Sequence, residues 1–368
     1  MGEELSIPVG NLGIIPMNGC ERIAASADRY IREWRDSEHG FLVEAHCPRF
    51  GTGEAKGLIT QSVRGDDLFI LCDAFNYSVT YNMYGVNNRM SPDDHYADLK
   101  RIIAAAGGKA RRINVIMPML YEGRQHRRTG RESLDCALML QELHNMGVTN
   151  ILTFDAHDPR VQNAVPFSGF ENIQPYYQMI KAICRTVPDI DFDREKVMMV
   201  SPDEGGMARC IYYTSILGLD LGMYYKRRDY SRLVNGRNPI VAHEFLGSNV
   251  DGKDIIIVDD MISSGDSILD IAEHLTKMGA RRIFVFATFG LFCEGFGRFD
   301  EAYEAGYITK IFTTNLNYRP EELLQRGWYR EVDMSKYIAL LVNTLNFDRS
   351  INDLINPSGR IEKLLASR

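Results

Sequence analysis

Short apolar runs recur along the chain, several of them separated by stretches whose apolar residues fall at helical spacing. The runs that read as strands are residues 67–74, 112–120, 150–157, 196–203, 221–226, 254–260, 282–290 and 310–315. Between the sixth and seventh, Ile268, Ile271, Ala272, Leu275 and Met278 share one face of a predicted helix. Asp135, Cys136, Met139, Leu140 and Leu143 suggest another ahead of 150–157. Strands alternating with helices predict an α/β fold class, with mainly parallel sheets, right-handed crossovers and flanking helices. In such sheets ligands bind at the carboxyl ends of the strands. Candidate chemistry is therefore sought in the loops that follow each run.

A chain of 368 residues suits two domains. The Pro-Phe-Ser-Gly stretch at 166–169 is the expected boundary, giving residues 1–168 and 169–368, both of which read as α/β. Residues 233–252, rich in Gly and Asn, are expected to form a loop or flap. Composition changes this picture little, with 45% hydrophobic and 25% charged residues being ordinary for a globular protein. A net charge of −7 gives no reason to expect nucleic acid or an anionic membrane as partner. No apolar run approaches a membrane span, and the first residues lack the basic and apolar regions of a secretory signal. Seven cysteines without a Cys-x-x-Cys pair read as free thiols in a reducing cytoplasm.

The sharpest local signal is Val258-Asp-Asp-Met-Ile-Ser-Ser-Gly-Asp-Ser267. Asp259 and Asp260 end a buried-looking strand. Ser263, Ser264, Gly265, Asp266 and Ser267 then turn into a helix. The first N–H groups of a helix lack internal partners and carry its positive dipole end, so a phosphate monoester fits there. Hydroxyls of Ser264 and Ser267 would add donors, Gly265 would admit close backbone approach, and the aspartates would face sugar hydroxyls or a metal. Ser267 and Asp270 also fit an ordinary capping box. Four arginines in residues 121–131 suit a triphosphate, because each guanidinium grips two oxygens; a solvated basic loop explains them equally well. His157 at a strand end fits either a hydrogen-bonded structural role or a ligand role.

The aspartate–serine stretch resembles the phosphoribosyl-binding motif of type I phosphoribosyltransferases. Four further segments, in order, resemble the ribose-phosphate pyrophosphokinase family: RFGTGE with SVRG (49–54, 62–65), YEGRQHRR (121–128), FDAHD (154–158), and SPDEGG with YYKRR (201–206, 224–228). The resemblance implies two phosphoribosyltransferase-like domains, an ATP side before an N-terminal boundary at 168 and a ribose 5-phosphate side after it. It implies transfer of pyrophosphate from ATP to the anomeric hydroxyl of ribose 5-phosphate, with Mg2+ as cofactor. By resemblance Phe50, Glu54, Arg124, Gln125 and His157 serve ATP, with Phe50 stacking on adenine from a neighbouring subunit. Asp259, Asp260, Ser263, Ser264, Gly265, Asp266 and Ser267 serve ribose 5-phosphate. His157 and Asp203 serve the metal, and Lys226 and Arg228 are catalytic. The family's shared sites imply a homo-oligomer, at least a dimer and often a hexamer, located in the cytoplasm. The family usually has Asp where this chain has Thr52 and His126, and a Thr- and Gly-containing loop where it has Asp266. Those departures leave a non-catalytic regulatory homologue as a second expectation. A phosphoribosyltransferase is a third, disfavoured because that reaction needs no ATP site.

Overall fold

The computed structural model describes residues 7–228 and 240–367, excluding the side chains at 226–228 and 240–243. The chain divides into two units. The first contains the chain up to Pro175 together with Asn315–Tyr318 and Asp333–Asn356. Its five-stranded sheet is parallel throughout, in the order β1 (Asn11–Pro16), β4 (Asp66–Leu71), β7 (Arg112–Ile116), β8 (Asn150–Phe154), β9 (Gly169–Ile173). Two short antiparallel pairs lie outside it: β2 (Ala45–His46) with β3 (Leu58–Ile59), and β5 (Thr80–Met83) with β6 (Val86–Arg89). Helices α1 (Glu21–Arg35), α2 (Pro92–Ala106) and α3 (Asp135–Asn145) complete its N-terminal part.

Local chemistry explains these elements. Ser91 accepts from Asp94 N–H while the Asp94 carboxylate accepts from Ser91 N–H, and Pro92 fixes the first turn of α2. Leu99, Ile102 and Ile103 of α2, and Met139, Leu140 and Leu143 of α3, are buried against Leu68, Ile70 and Val115 of the sheet. The boundary expected after Ser168 falls short of the first unit's edge, because β9 pairs in register with β8.

The second unit contains Tyr176–Thr314, Arg319–Val332 and the chain from Pro357. It opens with α4 (Tyr176–Thr186), β10 (Val197–Ser201), α5 (Met207–Leu217), β11 (Asp220–Arg228) and β12 (Ile240–Leu246). Then come β13 (Asp254–Ile262), α6 (Asp266–Lys277), β14 (Arg282–Gly290), α7 (Gly297–Glu304), β15 (Lys310–Thr314), α8 (Glu321–Leu324) and β16 (Tyr329–Val332). The seven-stranded sheet runs β12–β11–β10–β13–β14–β15–β16, parallel except for the antiparallel β11–β12 pair. Residues 233–252, expected to be a loop, thus contain an edge strand; residues 229–239 lie outside the described residues. Met278 is 37% exposed at the C-cap of α6 and leaves the buried face expected of it, while Ile268, Ile271, Ala272 and Leu275 stay on it.

The chain ends with α9 (Ser335–Asn346), α10 (Asn352–Ile355) and α11 (Ser358–Ala366). Helix α9 belongs to the first unit and packs on α1. Its last residue completes a buried polar knot. The Asp67 carboxylate accepts from Arg112 at 2.8 and 2.7 Å, from Asn114 Nδ2 at 2.9 Å and from Asn346 Nδ2 at 2.9 Å. A fully buried carboxylate is tolerated because every approach to it is a donor. None of the seven cysteines forms a disulfide. No described helix is long and apolar enough to cross a membrane.

Candidate functional site

The second sheet reverses its strand order between β10 and β13: β11 lies on one side of β10, and β13 with its successors lies on the other. That switch point is where open α/β sheets form a crevice. The loops at its two carboxyl ends are residues 202–206 and 263–265, both within segments singled out by sequence.

Strand β13 runs on to Ile262, two residues past the expected end, so Asp259 and Asp260 lie inside the strand rather than at its close. Asp260 is buried and Asp259 half-buried; Asp260 N–H donates to Asp259 Oδ1 at 2.8 Å. Burial, and then the neighbouring Asp260 charge, hold the Asp259 carboxyl well above the usual carboxylate range. Arg209 opposes this: its Nη2 lies 3.7 Å from Asp260 Oδ2. Sequence reading missed Arg209. The available signal was an arginine in the first turn of α5, where the helix dipole disfavours a cation unless a tertiary partner holds it.

Gly265 is the N-cap of α6, at φ +90°, with no side-chain cap. A Cβ there would come within 2.1 Å of Phe299 Cζ, so packing and backbone both require glycine. The expected Ser267–Asp270 capping box is therefore not the helix start. Asp266 is the first helical residue. Its Oδ2 accepts from Ser264 Oγ at 3.0 Å, and its Oδ1 pairs with Nη1 of Arg298. In the companion loop, Asp203 Oδ1 accepts from Gly205 N–H at 2.9 Å and Gly206 N–H at 3.3 Å, which fixes the carboxylate's direction. Lys226 and Arg228 stand on β11, opposite His243 and Ile240, with a register shift between Arg227 and Arg228. Their side chains lie outside the described residues.

The first unit holds its own strand-end group. Strand β8 stops at Phe154, short of the His157 end expected for it. Asp155 takes φ +42° and Ala156 N–H donates to Asn172 Oδ1, turning the exposed His157 outward. The rings of His157 and His126 lie 5.4 Å apart, and His126 Nε2 is 3.5 Å from Asp158 Oδ2. Burial pushes His126 below the usual imidazole range, against Asp158; His157 and Arg127 push the same way as burial. His126 Nδ1 has no hydrogen-bond partner among the described residues. Arg124, Arg127, Arg128 and Arg131 are all exposed. Gln125 instead spends its amide on the loop, donating to Ser133 O at 2.7 Å.

Asp158 caps the short 3-10 turn Pro159–Ala164 and grips Arg160 with both oxygens. That contact, with the Arg160 N–H, lowers the Asp158 carboxyl to about 2. A carboxyl depressed below its ordinary value near 3.8 stabilises the fold above that value and loses the contribution as pH falls toward 2. Asp158→Asn should therefore melt roughly 2–4 °C below wild type at pH 7, by the usual scaling for one lost interaction. The gap should close between pH 4 and pH 2. Thermal melts across that range check it; a constant gap would refute the assignment.

Phe50 is 56% exposed at the tip of residues 50–54. Phe50 N–H donates to Glu54 O and Gly53 N–H to Phe50 O, closing a tight turn. Tyr84 N–H donates to Gly51 O, tying that turn to the β5–β6 hairpin. Thr52 donates to Glu54 Oε2 at 2.9 Å, so the two side chains act as one polar group. Among the described residues no group of three or more His, Cys, Asp or Glu could hold a metal ion. Magnesium on a polyphosphate takes one or two carboxylates and fills its shell from phosphate and water, and the oriented Asp203 fits that pattern.

The chain is similar to known proteins along most of its length. Residues 14–147 match a family model described as the N-terminal domain of ribose phosphate pyrophosphokinase. Residues 170–290 match a phosphoribosyl transferase domain and 237–356 a phosphoribosyl synthetase-associated domain. A ribose-phosphate pyrophosphokinase of Agrobacterium fabrum is 30% identical over 258 residues, covering 69% of this chain and 74% of the relative. One from Vibrio cholerae is 27% identical over 322 residues, covering 86% and 92%. The crystal structure of phosphoribosylpyrophosphate synthetase from Mycobacterium smegmatis superposes with a TM-score of 0.73 at 20% identity, covering 91% of this chain and 98% of that one. The last similarity bears on the fold.

Proposed function

Because the chain belongs to the ribose-phosphate pyrophosphokinase family, we propose that its strand-end groups serve one reaction, pyrophosphoryl transfer from ATP to ribose 5-phosphate. The observation that carries this is the β10/β13 switch point, where an aspartate pair, a glycine-capped helix start and Asp203 belong to adjacent strands. The anomeric hydroxyl oxygen attacks the β-phosphorus of ATP. The bond from that phosphorus to the α–β bridging oxygen breaks, AMP leaves, and the hydroxyl proton is released. Bound magnesium would neutralise charge on the phosphate oxygens.

The chain's own residues align and neutralise. The N–H groups at the start of α6, with Ser263, Ser264 and Ser267, take the 5-phosphate. Asp259 and Asp260 accept from the ribose hydroxyls. Arg124 and His157 meet the triphosphate, and Gln125 shapes their loop. Phe50 offers a face to adenine, with Glu54 accepting from its amino group through an oxygen that Thr52 orients. Asp203, with His157 on the ATP side, serves the magnesium–phosphate complex. Lys226 and Arg228 stabilise charge on the transferring group. A homo-oligomer and a cytoplasmic location complete the reading.

The test is incubation of purified protein with magnesium, ATP and ribose 5-phosphate, following AMP and phosphoribosyl pyrophosphate together. Equal, sugar-dependent appearance of both is expected. ATP binding without either product would favour a regulatory homologue, for which the Thr52, His126 and Asp266 departures speak.

A further inference from the structure

The phosphate loop of the second unit carries a carboxylate and a guanidinium that its chemistry does not explain by itself. Asp266 begins α6, where its charge complements the helix dipole. That accounts for the acid but not for what gathers round it. Ser264 Oγ donates to Asp266 Oδ2 at 3.0 Å, and Arg298 Nη1 pairs with Asp266 Oδ1. A hydroxyl and a guanidinium converging on one anion at a helix start are also the donors a phosphate monoester would use.

The position of Arg298 follows from packing. Its neighbour Phe299 is fully buried beneath Gly265 and stacks on Trp328, with centroids 5.5 Å apart at 27°. That clamp fixes the first turn of α7 against the loop. The Arg298 and Asp266 side chains are 51% and 53% exposed, so both remain free to exchange partners with an incoming ligand.

We infer that Asp266 is an internal anion of the loop, competing with the sugar phosphate for Ser264 and Arg298, and that Arg298 is a direct contact of the 5-phosphate once Asp266 yields it. The inference deepens the proposed function and rests on the assignment of this loop to ribose 5-phosphate. A guanidinium has donors enough to bridge both anions, so Asp266 need only give up part of its hold. The pair then sets sugar affinity: the arginine raises it, and the aspartate lowers it.

The test is calorimetric titration of ribose 5-phosphate into wild type, Asp266→Asn, Arg298→Gln and the double variant, with ribose as a phosphate-free control. Asp266→Asn should bind about threefold to tenfold more tightly, since exposed charge pairs contribute modestly. Arg298→Gln should bind about tenfold more weakly, having lost a charge-assisted contact. In the double variant the gain from Asp266→Asn should shrink, because part of it acts through Arg298. Asp266→Ser serves the same comparison if Asp266→Asn melts early. The KM for ATP should not move in either single variant, which a general loosening of the unit would not spare. Unchanged or weaker binding by Asp266→Asn, or unchanged binding by Arg298→Gln, in a protein whose wild type binds and turns over the sugar, would overturn this inference alone. No binding by any form would overturn the loop assignment and the inference with it.

Discussion

Lys226→Ala should fold as wild type does and lose about 10²–10³ in kcat, the usual effect of removing one preorganised donor to developing charge. Lys226 stands where β11 leaves its pairing with β10 behind and continues paired only with β12. The register shifts between Arg227 and Arg228, after which the chain enters residues 229–239. The sheet is held by residues before Lys226, such as Tyr224, which is buried and hydrogen-bonded to His274. Thermal melting should therefore be unchanged while single-turnover AMP release slows. The KM for ribose 5-phosphate should stay within about threefold, as the lost interaction acts in the transition state. Turnover near the wild-type rate would remove Lys226 from the chemistry.

Asp259→Asn should separate stability from activity. The Asp259 carboxyl is held above its ordinary value by burial and by Asp260. A group whose folded value is raised binds its proton more tightly when folded. Its stability is fully present below the unfolded value and is lost as pH rises through the folded one. At pH 7.5, far above the ordinary carboxylate value, the raised group is thus a burden on the fold, and Arg209 offsets only part of it. The amide cannot ionise, so it lifts that burden and leaves Asp260 facing Arg209. The variant should melt at or above the wild-type temperature at pH 7.5, and that advantage should vanish toward pH 4. Its KM for ribose 5-phosphate should rise about 10–100-fold, matching the roughly 1.5–3 kcal/mol of a hydrogen bond to a charged group. Lower stability at pH 7.5 would refute the electrostatic account, and an unchanged KM the sugar contact.

The parallel strands of the sheet centres were legible because burial on both faces makes them apolar runs; Ile255 to Val258 is the clearest case. Elements at the sheet margins were not. β9 has one fully buried residue, Ile173, and β12 is interrupted mid-strand by His243 and Glu244, so neither reads as a continuous apolar run. At the site, the residue types of the Asp259–Ser267 stretch announced a turn opening a helix, yet its cap was misplaced. What selects Gly265 as the cap is a positive φ and the ring of Phe299 arriving from another helix. Arg209 and Arg298 escaped for the same reason: each acquires its role from a carboxylate distant in sequence.

The buried knot at Asp67 bears on how the chain is made. Asn346 donates to a carboxylate 279 positions earlier, and α9 covers α1. At about 5–20 residues per second on the ribosome, the first sheet waits roughly 15–55 s for its last donor. During that interval Asp67 must rely on Arg112 and Asn114, and the α1 face meant for α9 stays open to water or to a chaperone. The unit begun first is therefore completed only after most of the second has been synthesised.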